Sequence, residues 1–412
     1  MMVIKNIDLI FDVNKIPISV KIGVLGELIG RIGMGMMGLF FIFYLLELFG
    51  SLIYLPLFLT IFIMMSIVGG TLTGFLTNKL GKDILVTIIL LSGLFLLFFS
   101  SIFLESFYGI LLLESIIGLL LGIINPTFTA HISKVTNEKS QDKSFSFYRG
   151  ANILGQNSAG FLAGLILIVL FNNDSSINSL RSLMIIAYAL IGIQAILFTL
   201  IKTKNQDKLT QNNKRSSENN RNKLHTNTHK KINPKTKWIL ILSLILTSFG
   251  IGTSYSYIPL FISSNYLVSL SFIGIFLSIV GVIAGSTIIF GNKLLGKFKK
   301  QSLLAFSEVF FGLSGLLLIF FPPLALLFLL LLSRDIISAL ASPIVKILLM
   351  NSVHEEKREI WSSIEWMVTV TIELIGSIIA VFILESYSIL FLFMISGIAF
   401  IIGGIIVYSG IK

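Results

Sequence analysis

Residues 74–86 read GFLTNKLGKDILV. To their left runs IFIMMSIVGGTLT (61–73) and to their right TIILLSGLFLLFF (87–99). Both flanks are continuously apolar, without the alternation of a strand that has one wet face. Between them sit Asn78, Lys79, Gly81, Lys82 and Asp83. A chain that interrupts helix-length oily runs with a short basic turn crosses something apolar, reverses in water and returns. Gly81 supplies a reversal that β-branched residues resist, and Lys79 and Lys82 hold the turn on the wet side.

The rest of the chain has the same character. Of its 412 residues, 55% are hydrophobic and 12% charged, and the mean hydropathy is +0.94. A soluble domain carries roughly 25% charged residues, so too little polar surface remains to cover a water-soluble globule. Apolar runs of about 20 residues recur, each long enough to cross ~30 Å of hydrocarbon as a helix. A membrane β-barrel would alternate at period two instead. The expected class is therefore an all-α integral membrane protein. Cysteine is absent, which excludes disulfides, thiolate metal sites and a cysteine nucleophile. The four histidines (His131, His225, His229, His354) are scattered and offer no convergent metal site. No Gly-x-x-x-x-Gly-Lys-Ser/Thr loop is present to bind ATP, and no cofactor is expected. The N-terminus lacks the pattern of a cleavable signal peptide.

The pattern predicts twelve spans: 18–46, 52–77, 84–104, 107–133, 143–171 and 180–202, then 237–263, 269–293, 301–321, 323–350, 358–384 and 387–410. Residues 202–237 are polar, Asn-rich and basic, too poor in apolar surface to fold alone, and read as a disordered linker. The chain thus divides into a first bundle (1–201), the linker (202–237) and a second bundle (238–412). Basic residues sort by side: Lys79 and Lys82, Lys134, Lys139 and Lys143, the linker, Lys293 to Lys300, then Lys357 and Arg358 occupy alternate loops. The opposite loops carry almost none, Arg181 being the main exception. The positive-inside rule places both termini and the linker in the cytoplasm. The net charge of +11 then reads as solvated loops beside anionic lipid heads, not as a nucleic-acid surface.

The halves echo each other. NKLGK at 78–82 matches NKLLGK at 292–297, Pro126 matches Pro343, Lys143 matches Arg358, and Arg149 falls opposite Glu365. A six-helix repeat joined by a linker means two similar bundles facing one another, a design that supports alternating access to a site between them.

On these residues the chain resembles the major facilitator superfamily. The family's loop between helices two and three reads Gly-x-Leu-x-Asp-Arg-x-Gly-Arg-Lys. Gly74, Leu76, Lys79, Gly81 and Lys82 fill their places, Asn78 replaces the acid, and Asp83 stands where a base is usual. The resemblance implies two six-helix pseudo-symmetric bundles and a latch in which this loop meets the start of helix eleven. Asn78 keeps a hydrogen bond there but not the charge. A second family pattern, Gly-x-x-x-Gly-Pro-x-x-Gly-Gly in helix five of antiporters, is similar to GQNSAGFLAG at 155–164. Gly155, Ala159, Ala163 and Gly164 keep the small positions and Gly160 replaces the proline; small residues let helices approach closely. Where helix four of the family often has Arg-x-x-x-Gly, Glu114 precedes Gly118, so the charge is reversed.

An ionisable residue within a span is a functional candidate, because it is costly there without a partner or water. At ~1.5 Å per residue, Arg31, Arg334, Asp335 and Glu373 fall near mid-span, and Glu114 in the outer half of span four. Glu27 and Arg31, at i and i+4, pair on one face; a self-neutralising pair and a cavity role are both open. Arg334 and Asp335, being adjacent, should point apart, with one facing the cavity. Glu373 is the first candidate for proton coupling and Glu114 the second, since an acid buried without a fixed cation can exchange a proton near neutral pH. Structural pairing of Glu373 with Arg31 or Arg334 is the alternative. Arg149 and Glu365 are expected to pair across the halves as a cytoplasmic gate. The uncharged cavity candidates are Asn152, Gln156 and Asn157 in span five, Gln194 in span six, and Tyr255 and Tyr257 in span seven, whose rings can stack on a substrate or hold a cation.

The expected function is secondary active transport by alternating access. The loop and the small-residue run resemble the drug/proton antiporter-like branch, which implies proton-coupled export of a small, amphipathic compound. Uptake of a sugar, organic anion or other metabolite, by symport or uniport, is the alternative. A non-transporting receptor or membrane enzyme is a third, for which no nucleophile with a base, metal cluster or nucleotide loop speaks. The resemblance implies a small-molecule substrate, a proton as coupling ion, and a multi-pass monomer in the cell membrane.

Overall fold

The computed structural model describes residues 17–79, 82–136, 138–172, 176–201, 234–290, 299–352 and 358–411. Among the described residues there is no strand, and twelve helices are long and apolar enough to cross a membrane. In hydrocarbon every backbone N–H and C=O must be satisfied within the segment, which makes each apolar run a helix. Spans one to six are Ile18–Phe49, Leu55–Lys79, Lys82–Phe103, Phe107–Val135, Glu138–Phe171 and Ile177–Thr199. Span seven is Pro234–Ser254, continued through a turn of 3-10 helix at Tyr255–Tyr257 by Ile258–Tyr266. Spans eight to twelve are Leu270–Phe290, Lys300–Leu317, Leu324–Asn351, Arg358–Ser386 and Ile389–Gly410.

The boundaries differ from the expected ones where polar residues are helical. Span five begins at Glu138 rather than 143, because EKSQDK is polar but contains good helix formers. Span seven begins at Pro234, a residue suited to a first turn whose N–H would be unsatisfied anyway. The stretch expected as linker therefore gives 234–237 to a helix, while 202–233 lie outside the described residues. The basic turn of the opening stretch is shorter than its sequence implies. Gly74, Asn78 and Lys79 fall in the last turns of span two and Lys82 and Asp83 in the first turn of span three. Gly81 lies outside the described residues.

The pairing of helices repeats. Span one packs on five and six, three on six, and two on four; in the second half seven packs on eleven and twelve, nine on twelve, and eight on ten. These are two six-helix bundles of one design. They meet along spans five and eight and along spans two and eleven. At the end away from the first residues of span one, the core of the first bundle, with Phe40, Tyr44, Phe58 and Tyr188, continues without a break into Tyr257, Ala380 and Val381 of the second. There Ser51 donates a hydrogen bond to Glu385 across the halves (3.5 Å). This far end is closed by apolar packing. Arg181, the exception to the charge pattern, is paired with Glu105 and donates from Nη2 to the Ser101 carbonyl at 2.7 Å.

Candidate functional site

A cavity of about 210 Å³ lies between the halves. The first half supplies Gly35, Leu39, Gln156 and Asn157 from spans one and five. The second supplies Tyr255 and Ser256 from span seven, Ser278 from span eight, and Leu331, Arg334 and Asp335 from span ten.

The break in span seven builds one wall. Pro259 has no N–H and its ring would collide with the carbonyl of Tyr255 in a continuous α-helix. The Tyr255 carbonyl instead accepts from the N–H of Ile258, closing a 3-10 turn. The turn sends neighbouring tyrosines opposite ways. Tyr255 stands on the cavity wall, whereas Tyr257 is fully buried and donates to the Ser377 carbonyl at 3.3 Å. Tyr257, expected at the cavity, is a packing residue here.

Arg334 is 4% exposed. Its guanidinium carbon lies 4.5 Å from the centre of the Phe311 ring and 5.8 Å from that of Tyr255, and its Nε donates to Asp335 Oδ1 at 2.8 Å. The expectation that only one of these two residues would face the cavity is corrected: both line it. The arginine stem is long enough to fold back onto its neighbour's carboxylate. Ion pairing and two aromatic faces offset the cost of a cation within a span.

Across the cavity, spans five and eight are bonded together. Asn157 Nδ2 donates to the Gly281 carbonyl at 2.9 Å, and the Phe161 N–H to Ser278 Oγ at 2.7 Å. The small-residue run makes this possible by serving two neighbours. Ala159 and Ala163 are fully buried, and Gly155 and Ala159 abut span one at Leu28 and Gly35. Gly160 and Gly164 face span eight; a Cβ on Gly160 would stand 2.6 Å from the Gly274 carbonyl oxygen, and one on Gly274 2.5 Å from that of Gly160.

Arg31, Asn152 and Gln194 do not line this cavity. They converge on Glu27, which is fully buried. Arg31 Nε and Asn152 Nδ2 donate to its Oε1 at 2.7 and 2.9 Å, and Gln194 Nε2 to its Oε2 at 2.9 Å. The i, i+4 pair is therefore part of a larger hub that ties spans one, five and six inside the first bundle. A buried carboxylate demands donors, and these polar side chains are spent on it. The hub also explains Gly30, where a Cβ would fall 1.7 Å from Gln194 Oε1.

The acids separate by partner. Glu114 is buried between spans four and six and accepts from the Tyr188 hydroxyl at 2.9 Å. Glu373 is half-buried on span eleven, with its backbone against Gly252 of span seven. Its carboxyl has no hydrogen bond or ion pair among the described residues. The arginines considered as its partners hold Glu27 and Asp335 instead. Glu308 in span nine escaped the sequence reading. It is 8% exposed, and Ser243 Oγ lies 2.9 Å from both its oxygens. The rule that singled out Glu114 and Glu373, an acid within a span, applied equally to it. Arg149 is exposed and Glu365 half-buried, in equivalent positions near the first ends of spans five and eleven. Among the described residues no group of His, Asp or Glu is placed to hold a metal.

The architecture has close counterparts of remote sequence. It superposes on a crystal structure of a D-xylose-proton symporter with a TM-score of 0.76 at 14% identity, covering 95% of this chain and 97% of that one. An inward-open structure of the xylose transporter XylE from E. coli gives 0.70 at 14%, covering 95% of each chain. The POT family transporter PepTSo gives 0.69 at 12%, covering 96% and 97%. At such identities the likeness is one of fold. No curated protein matches by sequence. The family model described as Major Facilitator Superfamily matches residues 24–369. Twelve apolar helices in two repeated bundles, and a sequence that fits the family over most of its length, make one conclusion: this chain is a multi-pass membrane protein belonging to the Major Facilitator Superfamily of transporters.

Proposed function

We propose that the protein is a proton-coupled secondary transporter that carries a small, amphipathic solute by alternating access. The observation that carries the reading is the cavity itself. It is polar on the Arg334 wall, apolar at Leu39, Leu277 and Leu331, and lies between two repeated bundles sealed together at one end. Rocking one bundle on the other along spans five and eight would expose it to the two sides in turn. In this reading Glu373 is the proton-carrying acid, since its carboxyl has no hydrogen bond or ion pair among the described residues. Glu114 and Glu308 are bonded within their bundles and serve packing. Both termini face the cytoplasm of a cell membrane, and the protein works as a monomer.

Export by proton antiport is the leading direction, on the small-residue run of span five. Uptake by symport is the second, favoured by the likeness to a structure described as a D-xylose-proton symporter. Everted vesicles with an inward-acid pH gradient and a pH-sensitive dye separate them. Collapse of the gradient on adding one class of solute, lost in Glu373→Gln, supports antiport. Labelled solute that moves only down an imposed proton gradient supports symport. Movement indifferent to any pH gradient, in wild type and Glu373→Gln alike, would sink proton coupling.

A further inference from the structure

Arg334 spends little of its hydrogen-bonding capacity. A guanidinium has five N–H donors in a fixed fork. Its single hydrogen bond among the described residues uses Nε, to Asp335 Oδ1. The four donors on Nη1 and Nη2 have no protein acceptor there, although the side chain is 4% exposed and lines the cavity. Phe311 and Tyr255 lie beside the guanidinium, and neither ring offers the Nη edge a hydrogen-bond acceptor in the plane of the fork. A planar fork of unspent donors matches a carboxylate, which it binds through two parallel charge-assisted bonds.

We infer that the cavity takes a small organic carboxylate, anchored on the Nη edge of Arg334. The inference rests on the reading of this cavity as the transport site. Leu39, Leu277 and Leu331 accept the hydrocarbon remainder, and Gln156 adds an amide from the other half. At ~30 Å³ per water, the cavity volume of about 210 Å³ holds about seven waters, or a solute on the order of ten non-hydrogen atoms. Asp335 already neutralises Arg334, so an arriving carboxylate adds one negative charge within the span. The ligand therefore brings its own ammonium, set against Asp335, or enters with a proton. A free amine without a carboxylate would bring no acceptor and leave the Nη donors unpaired. A sugar would offer that edge only neutral acceptors, whose bonds are roughly half as strong.

The test is binding, measured apart from transport, on the full-length protein in lipid nanodiscs. Thermal unfolding is followed with a panel of monocarboxylates of about five to ten non-hydrogen atoms, 2-amino acids among them. Each is run beside its primary amide and its amine, with D-xylose as the neutral polyol. Carboxylates are expected to raise the melting temperature while their amides and amines do not. Arg334→Lys should weaken the effect roughly tenfold or more in Kd, and Arg334→Gln should abolish it. Stabilisation of the Asp335→Asn protein by a 2-amino acid, reduced relative to a plain acid, identifies the ammonium as the counter-charge; equal retention identifies the proton. Stabilisation by amines or D-xylose in place of carboxylates, unchanged binding in Arg334→Gln, or silence of the whole panel overturns the inference. The vesicle assay keeps the two readings apart. Carboxylate binding lost in Arg334→Gln with transport intact would fault the cavity as transport site. Transport of another solute without carboxylate binding would fault the anchor alone.

Discussion

At the scale of single residues, Glu27 and Arg334 show two ways of keeping a charge inside a span. Glu27 draws donors from three spans and leaves none of its partners to the cavity. Among the described residues Arg334 is held by one hydrogen bond, through Nε, and lies against two rings. The first arrangement is architectural. Glu27→Ala leaves the part-buried Arg31 cation, the part-buried Asn152 amide and the buried Gln194 amide without this acceptor, and since breaking a fully buried pair costs about 3–5 kcal/mol, the partial exposure of Arg31 puts the loss below that range. The expected outcome is a protein that unfolds far earlier in a detergent melt, with Glu27→Gln intermediate because its amide oxygen still accepts. Equal melts for all three would show that the hub adds nothing. Gly30→Leu should destabilise through the same hub, since any side chain there displaces Gln194.

At the scale of elements, two local features shape the site: the interruption of span seven and the close crossing of spans five and eight. Pro259→Ala restores the missing N–H and permits a continuous helix, which would rotate Tyr255 relative to the wall. Folding is expected to survive, and solute affinity to fall about tenfold, read by equilibrium binding in nanodiscs. At the crossing, Gly160→Val places a branched side chain where a single Cβ already meets the Gly274 carbonyl at 2.6 Å. Overpacking of this kind costs about 1–3 kcal/mol, and here it falls on the surface along which the bundles move. Transport should drop more than accumulation in the membrane does. Vesicle uptake normalised to protein detects this, and parallel losses of both would assign the glycine to folding alone.

At the scale of the whole molecule, the closed far end and the first ends of spans five and eleven bear on alternation. The chain has no cysteine, so an introduced pair acts without background. Ser51→Cys with Glu385→Cys, at the 3.5 Å contact across the halves, should cross-link on oxidation, stop transport, and release it on reduction. Transport that continues through the cross-linked protein would contradict rocking about the cavity. The proposed gate between Arg149 and Glu365 predicts that Arg149→Glu with Glu365→Arg transports better than either single change. A double variant no better than the singles would remove the pair from the mechanism.

The membrane class, the twelve spans and the six-helix repeat were legible in the chain, because each depends on the length, hydropathy and order of segments, which are local. So were the small residues of span five and the charges within spans. What each polar side chain does was decided by tertiary structure. Asn152 and Asn157 share span five, yet one serves Glu27 inside its bundle and the other bonds span eight beside the cavity. Tyr255 and Tyr257 part in the same way at a turn. A helix presents its faces according to its rotation about its own axis, and that rotation is set by the neighbours it packs against. Hydropathy in a span fully surrounded by apolar matter carries little record of it. The sequence by itself determined that charges would lie within the bilayer; only packing determined that Glu27 would be consumed by its own bundle and Arg334 set on the cavity wall.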